Sequence, residues 1–385
     1  MPDHSLQTSE FETLCLLIRP QADFLCAAVL LSQGASMGGV IRLADEHGAR
    51  ARLVQALEKL PTVLVPSADR AILDSFRRDH TPRMLSFAAE LGRIAAAFAE
   101  QGIPFLTFKG PALSLALYGD LAAREYGDLD ILVPEAFMAR AEDVLASFGY
   151  RSPYGDRPFR LAFQSHLRQF PLERPNGEGW LDLHWEFVGS FVPFPLRAED
   201  VWGRLGEVTI GGQRIPTLVG VDLALLLAGH GTKEAWRYLA WVLDFAMLID
   251  RQPEIDWTDV HRRARAQGCG DTVLLGCALS RSLFEVAVPD MLAREVASNV
   301  RVAKLASRIV ARLRQGTPPS ARVENFADFD LCDRAMDRLV ARLRLTLTPT
   351  VSDHQALPLP RSLWGVYYLT RPFRLAAKAI AEKFR

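Results

Sequence analysis

Gly127-Asp128-Leu129-Asp130-Ile131-Leu132-Val133 places two carboxylates, two residues apart, at the start of an apolar run. The Ile-Leu-Val run favours a buried strand, whose successive side chains point to opposite faces of its sheet. Asp128 and Asp130 therefore share one face, and Leu129 takes the other. Because neighbouring carboxylates repel each other unless a cation lies between them, the pattern predicts a metal site. Oxygen ligands favour Mg²⁺, with Mn²⁺ as the alternative ion.

The bulk composition is that of an ordinary globular protein. The chain has 385 residues, of which 49% are hydrophobic, with 45 basic and 45 acidic side chains. This length allows two or three domains. Because the net charge is zero, no overall basic field attracts nucleic acid, and there is no strong nucleic-acid signal.

The cysteines and the apolar runs indicate a cytoplasmic protein. Five cysteines occur without a C-x-x-C pair or a Cys/His cluster, which favours reduced thiols. No basic leader precedes the apolar run near residues 25–31. No stretch reaches the roughly 18 uninterrupted apolar residues of a transmembrane helix.

Periodicity predicts an α+β fold, in which a small mixed sheet is flanked by helical regions. Residues 1–80 are predicted to form an N-terminal helical region and residues 81–215 the core. Within the core, a helix over about 81–101 begins with Pro82 in its first turn, and a short strand covers 103–108.

The second half of the chain is predicted to be mostly helical. A helical domain covers residues 216–315, followed by a C-terminal loop and basic helical tail over 316–385. The loop is expected at 316–330. The basic tail could contact a membrane surface or an acidic partner, although packing on its own domain is the favoured interpretation.

A further carboxylate follows on another predicted strand. In the stretch Trp180-Leu181-Asp182-Leu183-His184-Trp185-Glu186-Phe187, strict alternation puts Asp182, His184 and Glu186 on one face. If this strand lies beside the Asp-Leu-Asp strand, Asp182 completes a cluster of three carboxylates. Such a cluster can hold two Mg²⁺ ions about 3.5–4 Å apart, the arrangement used in two-metal phosphoryl transfer. His184 is interpreted as a packing or supporting residue.

Other residues suit the phosphates of a nucleotide. Gly110 allows the backbone to approach a phosphate, Lys109 adds a positive charge, and a helix beginning at Pro111 aims free N–H groups at the same place. Arg124 could also contact a triphosphate. His230 and Lys233 lie one turn apart on a predicted helix and would face the nucleotide or acceptor; a structural polar pair with Asp244 is the alternative.

These features together resemble a known family. The strand, Lys-Gly turn, helix and Asp-x-Asp strand are similar to the nucleotidyltransferase superfamily of DNA polymerase beta type. The narrower resemblance is to a bacterial nucleotidyltransferase-like family, and it covers roughly residues 80–285. The residues that carry it are Lys109-Gly110, Arg124, Gly127-Asp128-Leu129-Asp130, Asp182-Leu183-His184-Trp185, His230, Lys233, Trp236, Leu239, Trp241, Asp244 and Asp256-Trp257.

The resemblance implies a Mg²⁺-dependent transfer of a nucleoside monophosphate from an NTP to an acceptor, with release of pyrophosphate. Asp128, Asp130 and Asp182 would be the metal ligands. The acceptor could be a small molecule, sugar, peptide, protein or RNA, and a natural product or peptide fits the family. Two alternatives stay open: a degenerate domain that serves as a binding or scaffold module, and a toxin-like transferase that modifies tRNA or protein.

Overall fold

The computed structural model describes residues 4–153, 168–174, 179–189, 193–315 and 332–383. Its strands are β1 (Leu106–Thr107), β2 (Asp128–Leu132), β3 (Gln169–Glu173), β4 (Trp180–His184), β5 (Gly206–Ile210) and β6 (Gln213–Thr217). They form one sheet in the order β3-β4-β2-β1-β6-β5. The pairs β2/β4 and β1/β6 are parallel and the other three are antiparallel, so the sheet is mixed.

Helices occupy most of the rest of the described chain. The first seven are α1 (His4–Ile18), α2 (Phe24–Ser32), α3 (Met37–Glu46), α4 (Arg50–Leu57), α5 (Ser67–Glu100), α6 (Gly110–Tyr118) and α7 (Met138–Ser147). After β6 come α8 (Gly220–Lys233), α9 (Leu239–Arg251), α10 (Trp257–Ala266), α11 (Gly270–Phe284), α12 (Asp290–Ser298) and α13 (Val300–Arg314). The last three are α14 (Ala335–Leu347), α15 (Val351–Ala356) and α16 (Tyr367–Lys383). The predicted α+β class, with a small mixed sheet and flanking helices, is confirmed.

The sheet separates two apolar cores. Leu129, Ile131, Leu181 and Leu183 pack with α5 and α7 in one core. On the other face of β2, Leu132 belongs to a larger core that joins α1–α4 with α8–α13. Burial of apolar side chains on both faces is the main stabilising term for such a sheet. The polar side chains that alternate with these four apolar residues therefore face the larger helical layer.

The helix predicted to begin at about Thr81 begins fourteen residues earlier, so the predicted start is wrong. Pro82 lies inside α5, which follows Pro66 and runs from Ser67 to Glu100. The preceding turns bury Leu73 and His80 against the protein. Because tertiary packing contributes most of a helix's stability, it offsets the hydrogen bond that an internal proline removes. The short strand predicted at 103–108 is reduced to Leu106–Thr107.

At the C-terminal end, α16 packs against α14. Its Arg371 donates to the buried carboxylate of Asp353 through Nη1 at 2.6 Å, and Arg374 donates to the same carboxylate. The predicted loop at 316–330 lies outside the described residues. Among the described helices, none is long and apolar enough to cross a membrane. The division into four regions stays a prediction.

Candidate active site

The register of β2 and β4 brings the predicted carboxylates together. The two strands run parallel with Asp130 opposite Asp182 and Leu132 opposite His184. Ligand atoms of Asp130, Asp182 and His184 lie within 4.8 Å of one another, so these three side chains could hold a metal ion. Asp128 lies two residues before Asp130 on the same face of β2. The candidate centre therefore contains three carboxylates and one imidazole.

Asp130 is the most firmly held of these carboxylates. It is buried, and its Oδ1 lies 3.2 Å from His184 Nε2 and 3.4 Å from Lys109 Nζ. Burial raises the pKa of Asp130, but Lys109 and His184 outweigh that effect and hold the pKa below its usual range. Asp130 is thus a fixed anion around which the rest of the centre is arranged.

His184 belongs to the cluster that could hold a metal ion, and it also contacts Asp130. Its Nδ1 lies 3.3 Å from the backbone oxygen of Glu186, and its ring packs edge-on against Phe108 with centroids 5.1 Å apart. These contacts orient the imidazole toward Asp130, as partners outside the ligand set do in metal sites. The alternation of polar residues along β4 placed this histidine on the acidic face, but the sequence did not predict its contact with Asp130.

The negative charges of Asp128 and Asp182 have fewer hydrogen-bonding or positively charged partners than that of Asp130. The side chain of Asp128 makes no hydrogen bond or ion pair with another described residue. Burial and the neighbouring Asp130 charge raise its pKa to about 6. Burial also raises the pKa of Asp182, whose Oδ2 accepts a hydrogen bond from Gln169 Nε2 at 3.4 Å. Three neighbouring carboxylates with so few positive partners repel one another. A bound cation would supply the missing positive charge.

Because the pKa of Asp128 is raised, we expect its ionisation to destabilise the folded metal-free protein in a pH-dependent way. Between the ordinary pKa of 3.8 and the folded value of about 6, the native state holds a proton that the unfolded state has lost. Stability should therefore fall as the pH rises through this window. Asp128→Asn should remove the penalty, so that the variant exceeds the natural protein by about 1–3 kcal/mol at pH 7.5 and matches it near pH 4.

Urea unfolding in EDTA across pH 4 to 8 measures this difference. Asp79→Asn, on the exposed face of α5, is the matched control and should shift little at any pH. A gap between Asp128→Asn and the natural protein that stays constant from pH 4 to pH 8 would contradict the assignment.

The Lys109-Gly110 turn lies against the acidic strand. Gly110 begins α6 with a φ of +54°, a conformation that favours glycine. A Cβ at this position would lie 3.5 Å from the backbone oxygen of Asp128. The turn therefore holds the start of α6 beside β2. Pro111 carries no N–H, so the amides at this end of the helix are those of Gly110 and Ala112.

His230 and Lys233 lie at the end of α8, near the centre. Burial, together with the positive charges of Lys109 and Lys233, lowers the pKa of His230 well below its usual value. The positive charge of Lys233 lowers the pKa of Asp182, and a charged His230 would do the same to Asp130. Lys233 Nζ lies 3.6 Å from Glu234 Oε1. The structure thus places both residues within electrostatic reach of the carboxylates, on the helical side of the sheet.

Arg124 makes a buried ion pair rather than a direct contact with the cluster. Its Nε and Nη2 donate to the two carboxylate oxygens of Asp244 at 2.8 and 2.7 Å, a bidentate geometry. Tyr118 Oη donates to the same carboxylate at 2.8 Å. Asp244 therefore pairs with Arg124 and Tyr118. The sequence-based alternative, in which Asp244 pairs with His230 and Lys233, does not describe these contacts. The carboxylate of the neighbouring Glu125 accepts hydrogen bonds from the backbone N–H and from Nη2 of Arg50.

A comparison with protein families identifies the family of the chain. A family model described as "uncharacterised nucleotidyltransferase" matches residues 34–285, which include every predicted site residue. The fold and the acidic centre define a nucleotidyltransferase-like protein, and the chain belongs to this uncharacterised nucleotidyltransferase family. No curated protein and no solved structure gives a significant match to the chain.

Proposed function

We propose that the protein is a Mg²⁺-dependent nucleotidyltransferase that moves a nucleoside monophosphate from an NTP to an acceptor hydroxyl or amine. The acceptor atom would attack the α-phosphorus, the bond from that phosphorus to the bridging oxygen would break, and pyrophosphate would leave. The observation that carries the proposal is the pairing of Asp130 with Asp182, beside the unpaired Asp128. Membership of the family supports the same reaction.

Asp128, Asp130 and Asp182 would hold the divalent metal. Bound there, the metal would neutralise phosphate charge and lower the pKa of the acceptor group. Carboxylate oxygens suit Mg²⁺ and Mn²⁺, whereas imidazole is a poor ligand for Mg²⁺, so His184 is assigned to orienting Asp130. Asp182 would also help to activate the acceptor group by receiving its proton.

Lys109, Gly110, His230 and Lys233 would bind the nucleotide. Lys109 places its ammonium 3.4 Å from Asp130, where it can also meet a phosphate oxygen. The amides at the start of α6 favour an anion at the same end of the helix. His230 and Lys233 would contact the nucleotide from α8. The predicted triphosphate contact of Arg124 stays a prediction, and Nη1 is its nitrogen without a partner among the described residues.

Isothermal titration with Mg²⁺ complexes of ATP, CTP, GTP and UTP tests this proposal against a degenerate binding module. The enzyme should bind at least one of them, and the double variant Asp128→Asn/Asp130→Asn should lose Mg²⁺-dependent binding. Absence of binding by the natural protein, or equal binding by the double variant, would sink the enzyme proposal.

Two glycines at opposite ends of α6 allow a matched test of the phosphate turn. Gly110 and Gly119 have φ values of +54° and +70°, so alanine at either position is strained by about 1–2 kcal/mol. Both substitutions should lower stability similarly in urea unfolding. Because only Gly110 lies against Asp128, only Gly110→Ala should weaken Mg²⁺-NTP binding. Equal nucleotide affinity in the two variants would remove Gly110 from the phosphate site.

A further inference from the structure

Exposed apolar side chains are concentrated near the C-terminus. Of the seventeen large hydrophobic side chains that are exposed among the described residues, nine lie between residues 336 and 373. This region follows residue 285, where the family match ends, and it contributes nothing to the proposed metal and nucleotide site. Exposed apolar residues scattered singly are ordinary, whereas their concentration in one region indicates a contact surface.

Helix α14 turns its large apolar side chains outward. Its outward row consists of Met336, Leu339, Leu343 and Leu347. Because these side chains follow one another at intervals of three or four residues, they lie on one side of the helix, and they are 44–66% exposed. On the opposite side, Ala341 is 4% exposed. The helix thus packs on the protein through a small residue and leaves its large ones in water, the reverse of an ordinary surface helix.

Helix α16 has the same inverted arrangement. Leu369 and Phe373, one turn apart, are 71% and 78% exposed. Tyr367 and Arg371, about half a turn around the helix from them, are 0% and 5% exposed. Because α14 and α16 pack against each other, two outward apolar rows lie on neighbouring helices.

The C-terminal segment, residues 332–385, is also strongly basic. It contains ten lysines and arginines and four acidic residues, a net charge of +6, whereas the whole chain is neutral. Two of its carboxylates are engaged within the protein. Asp333 accepts hydrogen bonds from two backbone N–H groups at the start of α11, and Asp353 is buried against Arg371 and Arg374. These two carboxylates therefore do not offset the positive charge on the outer surface of the segment.

Three arginines of the segment have no partner among the described residues. Arg334, Arg344 and Arg361 are exposed, and their side chains make no hydrogen bond or ion pair with a described residue. Arg344 and the exposed Arg342 lie on either side of the outward row of α14. An arginine at the edge of an apolar row can lay its stem along that row and keep its charge in the polar layer above it.

An apolar row flanked by arginines is typical of helices that lie in the interface of an anionic membrane. The apolar side chains enter the boundary between headgroups and acyl chains, and the arginines stay at the level of the lipid phosphates. Fluid lipid adapts its shape to rows on two neighbouring helices, whereas a protein partner would need a surface that fits both. A second copy of this chain is disfavoured, because a two-fold contact would place the same positive charges opposite each other.

We propose that the C-terminal segment binds the surface of an anionic membrane, with the outward rows of α14 and α16 in the lipid interface and the flanking arginines at the phosphates. This binding needs neither metal nor nucleotide, so it does not depend on the proposed function. The segment would hold the family-matched part of the chain, residues 34–285, at a lipid surface.

Sedimentation of the full chain with lipid vesicles tests the proposal. Vesicles of phosphatidylcholine with about 30% phosphatidylglycerol should bind the protein at least about tenfold more strongly than phosphatidylcholine alone, because an anionic surface attracts each nearby arginine or lysine. Leu339→Glu/Leu343→Glu should weaken binding to the anionic vesicles by at least about tenfold. The matched control is Leu25→Glu/Val29→Glu, which places the same charges on two exposed residues one turn apart on α2 and should bind like the natural protein.

Leu369→Glu/Phe373→Glu on α16 is a second variant, and it should lose the same binding. Failure of the natural protein to bind anionic vesicles, equal binding to neutral and anionic vesicles, or unchanged binding in both C-terminal variants would overturn the proposal. Light scattering that shows a dimer, dissociated by Leu339→Glu/Leu343→Glu and not by the α2 control, would assign the row to a contact between two copies and would also overturn it.

Discussion

Asp128→Asn is expected to lower the rate of nucleotidyl transfer by about 10³-fold, or ~4 kcal/mol in the activation barrier, because catalysis here depends on charge neutralisation. Asparagine keeps the shape of the side chain but removes one negative charge from the proposed metal site. Because the Asp128 side chain makes no hydrogen bond or ion pair with a described residue, the substitution breaks no such contact of the fold. The loss should therefore be one of chemistry and metal binding alone.

Label transfer from an NTP and the thermal midpoint, measured with and without Mg²⁺, check this expectation. Mg²⁺ should raise the midpoint of the natural protein and have little effect on Asp128→Asn. Asp79→Asn on α5 should behave like the natural protein in both measurements. Transfer by Asp128→Asn within twofold of the natural rate would show that Asp128 is no metal ligand.

Asp244→Ala is expected to destabilise the fold by about 3–5 kcal/mol, because it leaves a buried guanidinium without its counter-ion. Arg124 is 12% exposed in its side chain and Asp244 is 4% exposed. The substitution also removes the acceptor of the Tyr118 hydroxyl. The Arg124–Asp244 pair joins the loop before β2 to α9, so its loss should loosen the helical layer over the sheet.

A double-mutant cycle separates the pair from its surroundings. Asp244→Ala and Arg124→Ala should each be strongly destabilising, and the double variant should lose less than the sum of the two. The control is the exposed pair Arg77–Glu58, with nitrogen and oxygen 3.4 Å apart, where Glu58→Ala should change stability by less than about 1 kcal/mol. A loss below about 1 kcal/mol for Asp244→Ala would contradict the buried-pair account.

The acidic face of the sheet could be predicted because strand alternation is a local rule. The two carboxylates of the Asp-Leu-Asp strand and Asp182 were placed by period-two patterning, and the structure pairs Asp130 with Asp182 in register. The glycine turn could also be predicted, since Gly110 and Pro111 are recognisable in the sequence. The roles of these residues in metal and nucleotide binding stay predictions.

Long-range packing could not be predicted in the same way. Pro82 was expected in the first turn of a helix, but burial of Leu73 and His80 extends α5 beyond it toward the N-terminus. The partner of Arg124 is 120 positions away, and no local pattern identifies Asp244 as that partner.

The central claim is most directly tested by comparing the fate of the α- and γ-phosphates of an NTP. The protein would be incubated with Mg²⁺, a small-molecule cell extract as acceptor, and either α- or γ-labelled NTP. The proposed reaction predicts that α-label enters a stable product, that γ-label leaves as pyrophosphate, and that Asp128→Asn does neither. Transfer of γ-label to the product, or no α-labelled product with the natural protein, would contradict nucleotidyl transfer.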